Sequence, residues 1–445
     1  MSLSKKATED SQSEAARQTS AVIRPSKPRL WDTLGPGLIT GASDDDPSGI
    51  ATYSQAGAQF GFRLGWTLLL TYPLMVVVQS ISARIGRTTG RGIAGNLRAH
   101  YPNALLQGIV LLLFMANTLN IGADLAAMGE ASRLVIPRIP VWVYIVFFGT
   151  ACTAGQILLK HTGYVAVLKW LSLSLFSYFA VLCVVRVPWS EVLRGLALPT
   201  FSTSHDFWMM VIAILGTTIS PYLFFWQASQ EVEDTKANPV REPLQRHPEQ
   251  GATALARIRF DTLVGMGFSN LVALAILVTA GATLHAKSSH AIQTAAQAAE
   301  ALRPIAGNFA FALFALGILG TGLLSVPVLA GSAAYALGEA RRWPVGLARK
   351  PSEAKAFYGA IAAATLLGAA ANIASVNAVT ALVWAAIINA MVAVPVMCVL
   401  MCLAANPRVM GQFVVSRLWR TLGWIATALM AAAAVVFVAL TILDR

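Results

Sequence analysis

The sequence predicts an all-α polytopic membrane protein of about eleven transmembrane helices, built as a 5+5 inverted repeat with helices 1 and 6 broken. Three observations lead there. The 445 residues are 56% hydrophobic and 12% charged, with a mean hydropathy of +0.62, whereas soluble domains carry about 25% charged residues. An apolar segment of spanning length, GPGLITGASDDDPSGIATYSQAGAQFG from Gly35 to Gly61, is interrupted by Asp44, Asp45, Asp46, Pro47, Ser48 and Gly49. A second segment, Phe207 to Gln230, carries the matching interruption TTISPYLFFWQ around Pro221. Proline lacks the N–H of a regular helix and clashes with the preceding turn, so both helices should unwind at these points.

The elements follow in order. Residues 1–33 are polar, with Lys5, Lys6, Arg17, Arg24, Lys27 and Arg29 and no apolar core, which reads as a disordered cytoplasmic tail and not as a signal peptide. Apolar segments then fall at roughly 35–58, 63–84, 104–130, 141–159, 163–186, 207–230, 261–284, 306–336, 356–373, 379–404 and 421–443. The breaks lie in spans one and six. They are five spans apart, and an odd offset reverses orientation, so residues 34–404 divide into inverted repeats at about 34–186 and 207–404. Residues 405–445 add a loop and an eleventh helix. The polar connection 231–259 contains three prolines and mixed charge, and reads as a mobile loop, helical toward Arg259. Its acids Glu231, Glu233 and Asp234 either gather cations at the inner mouth or form a solvated helix end.

Charge sets the orientation. With the N-terminus inside, 25 of the 33 Lys and Arg residues fall on the cytoplasmic side and 8 outside, so eleven spans put the C-terminus outside. The net charge of +12 and the pI near 9.8 therefore mark inner loops and not a nucleic-acid surface. Cys152, Cys183, Cys398 and Cys402 all lie in apolar segments and read as packing residues, with no disulfide framework or zinc spacing.

Acids at membrane depth must face a polar interior, and broken helices with carboxylates near the midplane are how many secondary transporters build a cation site. Asp46 reads either as the N-cap of the second half-helix or as an ion ligand; Ser48 could cap without a buried charge, which favours the ligand. Asp44 and Asp45 are adjacent and cannot both point at one ion. In span six, Thr217, Thr218, Ser220 and Tyr222 surround Pro221, and freed carbonyls and hydroxyls there supply oxygen donors or merely satisfy a kinked helix. Span three carries Asn117, Asn120, Asp124 and Glu130. Asp124 is a candidate ion relay or ion-pair partner, and Glu130 lies near the outer end. Asn372 and Asn389 are possible supporting groups or helix–helix hydrogen bonds. The six histidines fall at loops or span ends, which leaves no imidazole at the midplane. Phe224, Phe225 and Trp226 could form a platform for an organic cation, or pack.

These stretches, together with GADLAAMGE in span three, resemble the natural resistance-associated macrophage protein (Nramp) family of divalent metal transporters. The resemblance covers the transmembrane region and implies the LeuT-type fold, transport of a divalent metal as substrate, no catalytic activity and no cofactor. The family's first-helix motif, Asp-Pro-Gly-Asn, stands here as Asp46, Pro47, Ser48 and Gly49, which loses the asparagine ligand. Its sixth-helix Met-Pro-His stands as Ser220, Pro221 and Tyr222, and its Asp-Leu-Ala-Glu as Asp124, Leu125, Ala126 and Ala127. Carried over by position, Asp46, Gly49 and Ser220 would surround the metal, joined by Thr217 from the reading of span six, with Tyr222 and Asp124 as gate or relay beside Asp45. Losing the thioether and the imidazole leaves oxygen donors, which suit a hard ion that keeps its waters. That pattern resembles the bacterial Nramp-related magnesium transporters and implies Mg2+, with Mn2+ possible, moved without protons across the inner membrane. The rivals are a proton-coupled Mn2+ or Fe2+ importer and an amino-acid or organic-cation symporter of the same fold. An intramembrane aspartyl protease would need facing acids such as Asp46 and Asp124, and its Gly-x-Gly-Asp motif is missing.

Overall fold

Pro47 starts a helix instead of kinking one. In the computed structural model, which describes residues 36–158, 176–238, 240–285, 292, 294–300, 307, 310–371 and 377–443, α1 (Pro36–Asp44) stops short of Asp45 and α2 (Pro47–Phe60) begins at the proline. A proline in the first turn costs no hydrogen bond, because that N–H has no intrahelical partner. The predicted tail 1–33 and Asn372 lie outside the described residues.

The chain continues through α3 (Gly65–Thr89), α4 (Ile93–His100), α5 (Asn103–Val135), α6 (Val141–Leu158), α7 (Phe176–Val184) and α8 (Trp189–Ala197). The second break follows: α9 (His205–Thr218) ends, Ile219 and Ser220 are non-helical, and α10 (Pro221–Ala237) starts at its proline. Then come α11 (Gly251–Ala280), which runs into a π turn at Gly281–His285, α12 (Ala295–Ala299), α13 (Ala310–Arg341), α14 (Lys355–Ala371), α15 (Ala378–Ala405), α16 (Pro407–Met410) and α17 (Arg417–Leu443). Among the described residues eight helical stretches are long and apolar enough to cross a membrane: α3, α5, α6, α9–α10, α11 with its flanking turns, α13, α15 and α17. The α1–α2 pair and α14 are shorter, and only the end of the fifth expected span, α7, is described.

Side chains distribute as a bilayer demands. Leu69, Leu111, Trp142, Leu366 and Val435 are exposed on spans, while Asp44, Asp45, Asp46 and Asp124 are buried inside. Helices meet closely where glycines allow it. A Cβ added at Gly41 would collide with the carbonyl of Gly265 on α11, and one at Gly216 would meet the carbonyl of Ala386 on α15. The Gly37 N–H, near the start of α1, donates to Asp261 Oδ2 at 2.8 Å, which ties α1 to α11.

The polar connection expected over 231–259 is mostly helix ends. The α10 helix runs to Ala237 and α11 starts at Gly251. The turn between them is held on the end of α3: the Leu244 and Gln245 N–H groups donate to the carbonyls of Arg87 (3.2 Å) and Thr88 (3.1 Å). The Arg87 guanidinium donates to Thr235 Oγ1 at 2.9 Å, the Glu242 carbonyl at 2.8 Å and Gln250 Oε1 at 2.8 Å. Its acids are not a solvated helix end. Glu231 is buried 2.5 Å from Arg257, and Asp234 pairs with Arg241. Sequence spacing could not show this, because the arginines come from α11 and from the turn.

Candidate metal site

The first break places three consecutive acids in three environments. Asp46 is the N-cap of α2 in extended backbone (φ −69°, ψ 171°), and its Oδ1 accepts the Gly49 N–H at 2.7 Å. Its Oδ2 accepts from Asn120 Nδ2 on α5 at 3.1 Å. The capping and site readings of Asp46 are therefore compatible, since each oxygen spends one lone pair on a donor and keeps another. Asp44, at the end of α1, accepts from the Ser269 hydroxyl of α11 at 2.7 Å, and its other oxygen has no partner. Neither oxygen of Asp45 has a donor within hydrogen-bond distance. The two neighbours thus diverge, as adjacent positions must.

The second break faces the first. A Cβ built on Gly49 would stand 3.2 Å from Thr217 Oγ1 and 3.4 Å from the Asp44 carbonyl oxygen. Glycine at 49 therefore brings a hydroxyl and a freed carbonyl next to the α2 backbone, beside the Asp46 carboxylate that caps it. Ser220 turns its hydroxyl back onto its own helix, 2.7 Å from the Gly216 carbonyl and 3.0 Å from that of Thr217. Tyr222 donates to the Ser43 carbonyl at 2.8 Å and so bridges the two broken helices. Ser48 donates to the Leu382 carbonyl of α15 at 3.0 Å and leaves capping to Asp46. Asp124 accepts from the Ser325 hydroxyl of α13 at 2.9 Å, with its other oxygen unpartnered.

Among the described residues, none of Asp44, Asp45, Asp46 and Asp124 has a Lys, Arg or His partner within 4.0 Å. Burying several carboxylates without counter-charge is expensive, and a divalent cation would relieve their repulsion. Among the same residues no three His, Cys, Asp or Glu side chains gather as a metal cluster. A cation at this place would draw on one or two carboxylates, with hydroxyl, amide, carbonyl and water oxygens making up the rest.

A family model described as natural resistance-associated macrophage protein-like matches residues 37–440, nearly the whole chain. The chain belongs to the Nramp family. As an Nramp protein it is a membrane transporter and not an enzyme. It is 27% identical over 331 residues to a protein of Chromohalobacter salexigens named divalent metal cation transporter MntH, covering 70% of this chain and 72% of that one. A MntH of Xanthomonas campestris is 30% identical over 315 residues, covering 67% and 66%. The fold matches the manganese transporter of Eremococcus coleocola with a TM-score of 0.73 at 16% identity, over 93% of this chain and 88% of that one. The nucleobase-cation-symport-1 family transporter Mhp1 matches with a TM-score of 0.52 at 13% identity, over 92% of each chain. The fold is of the LeuT type, as the two facing breaks suggested.

Within this Nramp chain, Asn120, Ser269 and Ser325 hold the predicted acids although sequence reasoning did not place them at the site. Asn117, Asn120 and Asp124 lie at i, i+3 and i+7, one face of α5, and that spacing could have drawn Asn120 in. The two serines are 225 and 201 positions from their partners and carry no such signal. Ala127, where the family has an acid, lines a small apolar cavity with Ile50, Phe314 and Leu382. Asn389 is buried with its Oδ1 unpartnered.

Proposed function

We propose that this Nramp chain moves a divalent metal cation, Mg2+ in preference to Mn2+, inward by alternating access and without a coupled proton. The observation that carries the reading is the donor set at the facing breaks. Asp46, Thr217 and the Asp44 carbonyl stand together with the Asn120 amide, all of them oxygen or amide groups, beside buried acids that lack a counter-charge. Hard, hydrated Mg2+ is held by one or two carboxylates and waters, while soft donors would favour later transition metals. The names of the relatives, divalent metal cation transporter and manganese transporter, support the class of ion. The Lys and Arg asymmetry supports a cytoplasmic N-terminus and an outer C-terminus, and the bacterial source of the curated relatives supports a bacterial inner membrane.

The absence of a proton rests on the substitutions at the relay positions. A phenol titrates near 10 when unperturbed and an imidazole near 6.5, so Tyr222 is a poor proton carrier at neutral pH, and Ala127 carries none. An inside-negative potential suffices to drive entry, since two charges gain about 4.6 kcal/mol per 100 mV. The organic-cation reading loses its main support. Phe224, Phe225 and Trp226 are buried packing residues, with Trp226 set edge-on to Tyr335 at 6.3 Å.

Proteoliposomes test both halves. Competition by Mg2+, Mn2+ and Ca2+ against a tracer divalent should rank Mg2+ ahead of Mn2+, and the reverse order would refute the preference. With the potential clamped, an internal pH dye should record no metal-dependent acidification. Acidification above that of empty liposomes would refute uncoupled transport and point to Asp124 or Asp45 as the carrier.

A further inference from the structure

A cavity of about 500 Å3 lies away from the broken helices, between the end of α3, α4, the turn after α10, and α16. It is on the face that the charge asymmetry assigns to the cytoplasm. Arg91, His100, Lys236, Arg241, Arg246 and Arg408 line it, and among the described residues Glu242 is the single carboxylate in its lining. Two of the cations are answered locally, Arg241 by Asp234 and Lys236 by Glu233 at 3.7 Å. Arg91, Arg246 and Arg408 have no carboxylate within 4.0 Å among the described residues.

A basic inner face is expected of any membrane protein, but mutual repulsion would spread such charges apart. Here three guanidiniums, from the α3–α4 connection, the turn after α10 and α16, converge on one concavity. The backbone that carries them is fixed. Asn96 Nδ2 contacts the Thr89 hydroxyl and the Arg91 and Gly92 carbonyls at 2.9–3.0 Å, and Gly90 sits in the left-handed region (φ +66°) to close the α3 end. The Arg246 N–H donates to the Pro243 carbonyl at 2.8 Å, and Gln245 Nε2 to the Val409 carbonyl at 2.6 Å. The Arg408 N–H donates to Asn406 Oδ1 at 2.9 Å. Such pre-organisation lowers the ordering cost of binding.

We propose that this cavity binds a phosphate-rich anion. Planar guanidiniums match phosphate oxygens two at a time, and the volume falls within the range of about 300–1,000 Å3 usual for small-molecule sites. Among the described residues no aromatic ring apart from the His100 imidazole lines the cavity, so its chemistry selects phosphate and not a base. The phosphate can belong to a soluble oligophosphate or to the headgroup of an anionic lipid. Either would cross-link the α3–α4 connection, the turn after α10 and α16.

The test is calorimetric titration of the full chain in nanodiscs of zwitterionic lipid, free of divalent metal, with inorganic tripolyphosphate. Saturable binding is expected, weakened at least tenfold in Arg91→Gln/Arg408→Gln and within a few-fold of wild type in Arg91→Lys/Arg408→Lys. Both side chains are exposed, so these variants should fold, and matching thermal melts without ligand would establish it. Native mass spectrometry of protein extracted from anionic lipid separates the sources. One retained anionic lipid, lost in the glutamine variant, identifies a headgroup; none retained identifies a soluble phosphate. Failure of tripolyphosphate to saturate, or equal binding by wild type and the glutamine variant, would overturn the proposal.

Discussion

Replacing Asp46 with asparagine separates the charge of this residue from its capping role. An asparagine oxygen can accept the Gly49 N–H as Asp46 Oδ1 does at 2.7 Å, and Asn ranks with Asp as an N-cap, so α2 should still start at Pro47. On the other side, Asn120 donates its amide to Asp46 Oδ2 at 3.1 Å, while its own oxygen is buried without a partner. A flip of Asn120 would present that oxygen to the new amide and restore the contact. The fold should therefore survive Asp46→Asn, whereas Asp46→Ala forfeits the cap, worth about 1 kcal/mol. Metal binding should not survive. Removing one partner of a buried charge pair costs about 3–5 kcal/mol, which is a hundredfold or greater rise in the half-saturating metal concentration. The assay is tracer divalent uptake over a wide concentration range in proteoliposomes, paired with thermal melts of the purified variants. Asp46→Asn should melt near wild type and lose uptake, and Asp46→Ala should melt lower and lose uptake as well. Normal uptake by Asp46→Asn would refute the assignment of the site to the first break.

Asp45→Asn should reduce uptake less than Asp46→Asn and raise the melting temperature, because a neutral amide is cheaper to bury than a carboxylate with no donor; a fall in melting temperature would show that the charge is compensated. Ser220→Met releases the Gly216 and Thr217 carbonyls from the serine hydroxyl and adds a thioether at the second break, so Cd2+ and Mn2+ should gain severalfold on Mg2+ in competition. An unchanged ranking would mean that position 220 does not face the ion. Gly41→Ala drives a methyl into the Gly265 carbonyl and should cost about 1–3 kcal/mol, read as a lower melting temperature and slower uptake. Wild-type behaviour would deny the close approach of α1 and α11.

The membrane class, the two breaks and the acid at the first of them are determined by the sequence alone. Each is a local property: hydrophobic runs of spanning length, a proline that cannot continue a helix, and a charge that lipid will not accept. The offset of five spans from one break to the other further suggested an inverted repeat, because parity is also countable along the chain. Partnership is not countable. That Asp44 takes the hydroxyl of Ser269, Asp124 that of Ser325 and Asp46 the amide of Asn120 depends on which helix faces land together, and the tertiary structure alone decides this. The same holds for the polar stretch after α10. Its prolines and charges spell a loop by composition, yet Arg87, distant in the chain, and Arg257, on α11, turn it into a docked end of two helices. Local chemistry decides where a buried charge must sit, and only packing decides what it touches.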